Sequence, residues 1–325
     1  MDSRDDDLPL VARRLDARAA GMSDAAVGRR LASGRWLRLR RGWFSAAQLA
    51  DEARWRAEVL ATVRAHQRLL VLSHASAARA HGWPVPVGGW GRTTFTSPVP
   101  PARTRAGARV LVSHLAEGDV QPHGAILVTS RARTVVDCAR ALAPHDALAI
   151  ADAALRGGLL RPQLAVVLHE ASGRRGVERA RAVLELADGR RETALESWSA
   201  WALSTQGVPP TLWQATVLDG EGTFLGRADA WWAQGVVGEA DGRTKYRLAA
   251  LERSGAVDAK GLAWALDDER AREREMRRAG VAFVRWAPRD VLQPVRTRQL
   301  ALHVQSQLGL ATLIPMFTGR VLDLG

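Results

Sequence analysis

The stretch GRADAWWAQGVVGEAD, residues 226–241, decides the fold of the last third of the chain. Apolar residues stand on both sides of Asp229, and a short turn at Gln234 and Gly235 leads into a second apolar run that ends in Glu239. Short apolar runs separated by turn residues are typical of neighbouring strands. The stretch therefore predicts two adjacent strands of one sheet, each carrying an acid.

The acids in this stretch need a positive partner. Alternate side chains of a strand share a face, so Val237, Glu239 and Asp241 point the same way. A buried carboxylate is costly unless it is neutralised or paired, so Asp229 and Glu239 suggest a shared cation. Oxygen ligands without a neighbouring histidine or thiol favour Mg²⁺ or Mn²⁺ over zinc.

A lysine follows the same stretch. The chain has 46 Lys and Arg residues, but the lysines are only Lys245 and Lys260. A coding preference for arginine explains the imbalance. A need for a compact point charge, which the planar guanidinium of arginine does not provide, would explain a lysine at position 245, although Lys260 is a lysine too.

Composition narrows the class of protein. A chain of 325 residues with 47% hydrophobic and 25% charged residues is typical of two or three globular domains. The net charge of +12 favours a polyanionic partner, nucleic acid above all, although an arginine-rich proteome also produces basic proteins. A single cysteine, Cys138, excludes an internal disulfide and a cysteine-based zinc finger.

The chain shows no targeting or membrane pattern. Its first residues, MDSRDDDLPL, are acidic and lack the basic and apolar regions of a signal peptide. No run approaches the roughly 20 apolar residues of a membrane span. We therefore expect a cytoplasmic protein without a membrane partner.

The first 50 residues predict a small winged helix. Apolar spacing predicts a helix over residues 8–19, Gly21 ends it, and Ser23 is placed to cap a second helix that reaches Ser33. The run WLRLRRGWF, residues 36–44, alternates apolar and basic residues and turns at a glycine, as a basic hairpin does.

The stretch GMSDAAVGRRLASGRWLRLRRGWF, residues 21–44, resembles the N-terminal domain of AbiEi-type antitoxins. The resemblance implies that the second helix lies in the major groove of DNA and that the hairpin meets phosphates. The DNA-binding residues it implies are Arg29, Arg30, Arg38, Arg40 and Arg41. The alternative is a solvated basic face on a structural domain.

The region 51–189 predicts an α/β middle domain. Helices alternate with the strand-like runs RLLVLS, ARVLVS and AILVTS, and a Pro/Gly-rich loop spans residues 82–107. His74 and His81 lack metal-ligand spacing and are expected to be structural, and Arg133 and Asp137 are one helical turn apart, as in an ion pair. The runs SHASAARAHGW and TSRARTVVDCARAL also recur in the AbiEi-like family.

The remaining segments complete the domain plan. A charged connecting helix is predicted over residues 171–192, with a domain boundary near Gly189. A helix over 191–206 carries Glu196 at the margin of its apolar stripe, and residues 293–325 read as a helix followed by an apolar tail. The predicted domains are a winged helix (1–50), a middle domain (51–189), a last domain whose resemblance is given below (190–292) and a C-terminal helix with tail (293–325).

Five stretches of the last domain, taken in order, resemble the PD-(D/E)xK nuclease superfamily and are more closely similar to its DUF559 and very-short-patch-repair-like branch. They are ALESWSAWAL, GRADAWW, VVGEADGRTKY, DERAREREM and GVAFVRW. The resemblance implies a restriction-endonuclease-like mixed sheet flanked by helices. The fold class expected for the whole chain is therefore α/β, and more specifically a multidomain protein of the α+β type.

The resemblance assigns roles by position. Asp229 and Glu239 are implied to hold Mg²⁺ or Mn²⁺, Glu196 to orient a ligand water or take part in a second metal site, and Lys245 to stabilise charge on the phosphate. Arg272 and its neighbour Glu273 are implied to contact the DNA backbone or support the site.

This chain departs from the superfamily pattern at two positions. Asp241 stands where the superfamily usually has its lysine, which the DUF559-like branch tolerates, and Ala200 stands where the family helix tends to carry an arginine. Either change is compatible with a weakened or lost activity.

Two functions remain open from the sequence. The first is a divalent-metal-dependent endonuclease that acts on DNA, most simply double-stranded DNA. The second is a non-enzymatic antitoxin or repressor whose last domain is a degenerate nuclease, with a cognate toxin or a second copy of the chain as partner. The tryptophans at 198, 201, 231 and 232 either stack on bases or belong to the core.

Overall fold

The computed structural model describes residues 10–46, 48–66, 68–100, 108–241 and 270–323. The chain forms two compact units: Met1–His81 with Trp90–Ser130, and Gly82–Gly89 with Arg131–Gly325. The described residues form three sheets with helices around them, so the predicted α+β multidomain class is confirmed.

The first unit begins with a three-stranded antiparallel sheet in the order β1-β3-β2. Its elements are β1 (Ala12–Arg13), α1 (Arg14–Ala19), α2 (Asp24–Ala32), β2 (Leu37–Arg40) and β3 (Trp43–Ser45). The Ser23 hydroxyl accepts a hydrogen bond from Ala26 N at 3.2 Å, so the predicted helix cap is present. Gly42 takes a left-handed φ of 78° in the hairpin turn, as the basic ribbon requires.

The first helix is shorter than predicted. Residues 8–19 were expected to be helical, but Ala12 pairs with Phe44 as part of a strand and the helix begins at Arg14. Ala12 is fully buried beside Trp36, which stacks on Phe44 at 4.6 Å. Sheet pairing and core burial override the helical spacing at this point.

The rest of the first unit is a mixed sheet in the order β6-β5-β4-β8-β7, with α3 (Asp51–Ala65) and α4 (His74–Ala80). Its strands are β4 (Val71–Leu72), β5 (Thr93–Ser97), β6 (Ala108–Val112), β7 (Val120–His123) and β8 (Ile126–Thr129). The three strands predicted from apolar runs correspond to β4, β6 and β8. Strand β5 lies inside the predicted loop. It forms a strand because it pairs with β4 and β6, and these pairings could not be predicted from its own sequence.

The second unit begins with five helices: α5 (Arg131–Ala141), α6 (Pro144–Arg156), α7 (Arg161–Glu170), α8 (Val177–Leu186) and α9 (Ala194–Thr205). The predicted boundary near Gly189 falls inside this unit. Helix α6 packs on α9, and the buried Arg191 side chain binds Asp152 with Nε at 2.6 Å from Oδ2. The helices before residue 189 therefore form part of the same body as the last sheet.

The sheet of the second unit has the order β12-β11-β10-β9-β13. Its strands are β9 (Leu212–Leu218), β10 (Phe224–Trp232), β11 (Val236–Ala240), β12 (Ala282–Trp286) and β13 (Arg320–Leu322), and its later helices are α10 (270–278), α11 (Pro288–Leu292) and α12 (Pro294–Leu313). Strands β11 and β12 run parallel and the other neighbours antiparallel, which gives the predicted mixed sheet.

Apolar packing fixes this sheet from both sides. Trp231 and Val237 lie in one core cluster, and Phe317 of the tail packs on it with its ring centroid 5.1 Å from that of Trp231. Trp286 Nε1 donates to Ser199 Oγ of α9 at 2.6 Å. A Cβ at position 238 would lie 2.4 Å from the Trp286 ring, so only glycine fits there.

In the described part of the chain, no helix combines the length and apolar character that crossing a membrane requires.

Candidate functional site

The two strand acids come together in the sheet. Strands β10 and β11 are antiparallel, with Ala230 opposite Gly238. Continued by one residue, this register places Asp229 opposite Glu239, and Ala240 N donates to Asp229 Oδ2 at 3.0 Å. Both acids are half-buried. The fold therefore creates the pair of neighbouring carboxylates that the hairpin predicted.

Along the face shared by Val237, Glu239 and Asp241, burial decreases towards the strand end. Val237 is fully buried, Glu239 is half-buried and Asp241 is exposed. The acids therefore stand where the buried core of the sheet ends and the side chains become exposed. Lys245 lies outside the described residues.

Glu196 lies in the first turn of α9 and bonds with the N-cap residue of that helix, Thr193. Its backbone N–H donates to the Thr193 hydroxyl at 3.2 Å. In return its carboxylate accepts from Thr193 Oγ1 at 2.7 Å and from Glu192 N at 3.0 Å. The sequence T-x-x-E at residues 193–196 signals this arrangement locally, with Thr193 as the N-cap and Glu196 three residues later. At 1% exposure, the Glu196 carboxylate is satisfied inside the protein.

Gln214 is a site residue that the sequence prediction missed. Its Nε2 donates to Glu196 Oε2 at 2.6 Å. In the β9–β10 register, Trp213 pairs with Ala230 and Ala215 with Ala228, so Gln214 and Asp229 stand opposite each other between these pairs. The sequence feature that could have indicated it is a glutamine within the otherwise mostly apolar strand LWQATVL. Glu196, Gln214, Asp229 and Glu239 thus form a continuous series across α9, β9, β10 and β11.

Glu196 does not join the strand acids as a third ligand. Among the residues that the structure describes, no group of three or more His, Cys, Asp and Glu side chains is arranged to hold a metal ion. The expected set of Glu196, Asp229 and Glu239 is therefore not formed, because capping contacts and Gln214 occupy the Glu196 carboxylate.

The remaining pair, Asp229 and Glu239, fits a hard divalent cation. Mg²⁺ keeps several of its waters and is commonly held by one or two carboxylates together with substrate phosphate oxygens. Two half-buried carboxylates on adjacent strands match that donor set.

A basic residue lies on the other side of Glu239. Strand β12 pairs in parallel with β11 and places Arg285 opposite Glu239. Arg285 binds Glu273 of α10 at 2.6 Å, and Glu273 also binds Arg277 at 2.7 Å. Arg272, which was predicted to contact DNA, is exposed on the same helix. Glu273 thus binds an arginine beside the candidate site, and the strand register identifies that arginine as Arg285.

A cleft of about 940 Å³ opens next to Gln214. It is lined by Leu155, Arg156, Asp188, Gly189, Arg190, Glu192, Gln214, Thr216, Arg227 and Asp323. Arg227 binds Glu192 at 2.7 Å across it, and Arg190 binds Asp188 at 2.8 Å and Asp323 at 2.5 Å. The two arginines at positions 190 and 227 are thus ion-paired with acids of the same cleft, so a polyanion that bound them would displace internal partners.

The basic residues of the winged helix divide by exposure. Arg29, Arg38 and Arg41 are exposed, whereas Arg30 and Arg40 are half-buried. The Arg30 guanidinium lies over the Trp36 ring at 5.3 Å, so it also stabilises the core of this small domain. Arg35, not predicted, is exposed as well.

Several residues that were expected to have structural roles are buried or bonded within the protein. Arg133 and Asp137 form a buried ion pair at 2.9 Å, and the Cys138 thiol is buried, which raises its pKa. His81 Nε2 lies 3.1 Å from the Thr129 carbonyl oxygen. Trp231 and Trp232 are buried in the core, so neither is exposed to stack on a base.

Comparison with known proteins leaves the family open. No protein-family model matches the chain. Over 134 residues, 41% of this chain, it is 34% identical to two proteins of Mycobacterium tuberculosis, the uncharacterized protein MT2308 of strain CDC 1551 / Oshkosh and the uncharacterized protein Rv2248 of strain ATCC 25618 / H37Rv. The matched region covers 49% of each relative, so the chain spans about half the length of these curated relatives.

Proposed function

We propose that this protein binds nucleic acid and hydrolyses phosphodiester bonds with the help of Mg²⁺ or Mn²⁺. The observation that carries the proposal is the register of β10 and β11, which sets Asp229 beside Glu239 at the solvent end of the sheet. The resemblance of this region to PD-(D/E)xK nucleases agrees with that placement. We also propose that the protein is located in the cytoplasm, where DNA is available.

The residues of the candidate site have separate roles in the proposed reaction. Asp229 and Glu239 would hold the cation, which would lower the pKa of a bound water and neutralise charge on the phosphate. Gln214 and Glu196 support the pair from β9 and α9. Arg285 sets a positive charge beside Glu239. Lys245 and Asp241 follow the pair in sequence, and Lys245 is proposed to stabilise the phosphate oxygens.

Nucleic-acid binding is proposed to reside first in the winged helix. The exposed Arg29, Arg38 and Arg41 lie on its second helix and its hairpin, where phosphate contacts are expected. The net charge of +12 supports a polyanionic partner. Double-stranded DNA is the proposed substrate.

Plasmid nicking in Mn²⁺ tests the hydrolytic proposal. The wild-type chain should convert supercoiled plasmid to open circles in Mn²⁺ and not in EDTA. Asp229→Asn and Glu239→Gln should each lower the rate by at least about a hundredfold, because each removes a cation ligand. Glu221→Gln, in the exposed turn between β9 and β10, is the matched control and should cut like the wild type. Cleavage that survives both site variants would remove the pair from the mechanism.

A second function has support of its own. The described residues form no three-ligand group, and Ala200 and Asp241 depart from the nuclease pattern. These observations favour a DNA-binding regulator, an antitoxin or repressor, whose partner is a toxin or a second copy of the chain. In that case DNA binding persists in EDTA and no plasmid, linear DNA or RNA is cut in Mg²⁺ or Mn²⁺.

A further inference from the structure

Gln214 holds an unusual backbone conformation in the middle of a strand. Its φ is 55°, in the left-handed region, and within the described residues only His74 shares a positive φ among non-glycine residues. Glutamine has no intrinsic preference for that region, so the surrounding structure must impose it. Strand β9 continues on both sides of Gln214, so the distortion is local to this one residue.

The distorted residue lies in the interior of the unit. Trp213, Gln214 and Ala215 are all buried in succession, because the sheet is covered on both faces, and the pairing of Trp213 and Ala215 with β10 is kept on either side of Gln214. An extra amide in an apolar interior is costly unless it is bonded. Gln214 is 9% exposed, and its Nε2 donates to the Glu196 carboxylate at 2.6 Å.

The amide lies where three features of the second unit meet. It binds the buried Glu196, stands opposite Asp229 in the register of β9 and β10, and lines the cleft of about 940 Å³. A glutamine amide carries a donor and an acceptor on one rigid plane, so the atom that binds Glu196 also fixes the direction of Oε1.

We infer that Gln214 is a positioning residue that connects Glu196 to the Asp229–Glu239 pair. Its Nε2 is anchored by Glu196, and its Oε1 would accept from a water of a cation held by that pair. Glu196 would therefore act on the cation through Gln214 instead of as a direct ligand. The inference rests on the proposed function, because it assigns a role around the same cation. It also explains why Glu196 is fully bonded within the protein.

Mn²⁺ affinity measured by calorimetry on the full chain tests the inference. Gln214→Asn keeps an amide and a residue that tolerates positive φ but shortens the reach, and Gln214→Gly removes the side chain and accepts the conformation without strain. Both should bind Mn²⁺ about 10–100-fold more weakly, as loss of an outer-shell partner does. Gln234→Asn, in the exposed turn between β10 and β11, is the control and should bind like the wild type.

A double-mutant cycle separates positioning from general stability. Glu196→Gln alone should weaken Mn²⁺ binding about as much as Gln214→Asn, and the double variant should be no weaker than either, because both act through one contact. Thermal unfolding of the variants without metal shows whether they are folded; a loss of stability alone would leave the Mn²⁺ affinity of the folded protein unchanged.

The outcomes distinguish this inference from the proposed function. Wild-type protein that binds no Mn²⁺ overturns the proposed function, and the inference with it. Wild-type binding that Gln214→Asn and Gln214→Gly leave unchanged overturns the inference alone. Independent, additive effects of Glu196→Gln and Gln214→Asn also overturn it.

Discussion

At the scale of single residues, the ion pair of Asp188 with Arg190 in the cleft makes stability depend on pH. Burial acts to raise the pKa of Asp188, but hydrogen bonds from Arg190 outweigh it, and the pKa lies below the ordinary value of 3.8. An acid whose pKa is lowered by folding stabilises the protein above its unfolded pKa, and that stabilisation is lost as pH falls through the folded pKa. Urea unfolding should therefore show Asp188→Asn less stable than wild type at pH 6, with a difference that shrinks below about pH 4. A difference that stays constant down to pH 2.5 would contradict the assignment.

At the scale of elements, α6 and α9 are joined through a buried ion pair. Asp152 of α6 and Arg191, just before α9, are each 1% exposed, and the guanidinium donates twice to the carboxylate, at 2.6 and 2.9 Å. Removing one partner leaves the other charge buried without compensation. Asp152→Ala should therefore lower the free energy of unfolding by about 3–5 kcal/mol. Glu185→Ala, on the exposed face of α8, should change it by less than about 0.5 kcal/mol in the same urea titration. Similar effects of the two variants would mean that the buried pair does not hold the helices together.

At the scale of the whole molecule, the positive charge predicts salt-sensitive binding to DNA. Arg38 and Arg41 are exposed on the hairpin of the first unit, and Arg298 is exposed on α12 of the second. Arg38→Ala and Arg41→Ala should each weaken DNA binding and reduce the slope of log affinity against log salt by roughly one. Arg298→Ala should leave the slope unchanged in the same fluorescence-anisotropy titrations. Equal losses from all three variants would indicate attraction by net charge without a defined winged-helix surface.

Local sequence patterns determined much of the fold and one part of the candidate site. Ser23 and the glycine turn of the basic hairpin act on their nearest neighbours, so the second helix and the ribbon could be predicted from spacing. The hairpin between Asp229 and Glu239 is also local, because only three residues, 233–235, join β10 to β11. Such features depend on interactions between residues that are close in the chain, so a local sequence pattern is enough to predict them.

Tertiary structure alone decided what these elements contact. Strand β5 is ordered by pairing with strands before and after it. Gln214 binds Glu196 because β9 and α9 pack in the same unit, and Arg285 lies beside Glu239 because β12 returns parallel to β11 from more than 40 residues later. The contact between Thr193 and Glu196 could be predicted from the sequence T-x-x-E, but the hydrogen bond from the Gln214 amide to Glu196 could not. The sequence by itself determined which carboxylates this protein carries on its strands; long-range pairing and burial decided which of them meet, since those energies depend on neighbours that no local pattern specifies.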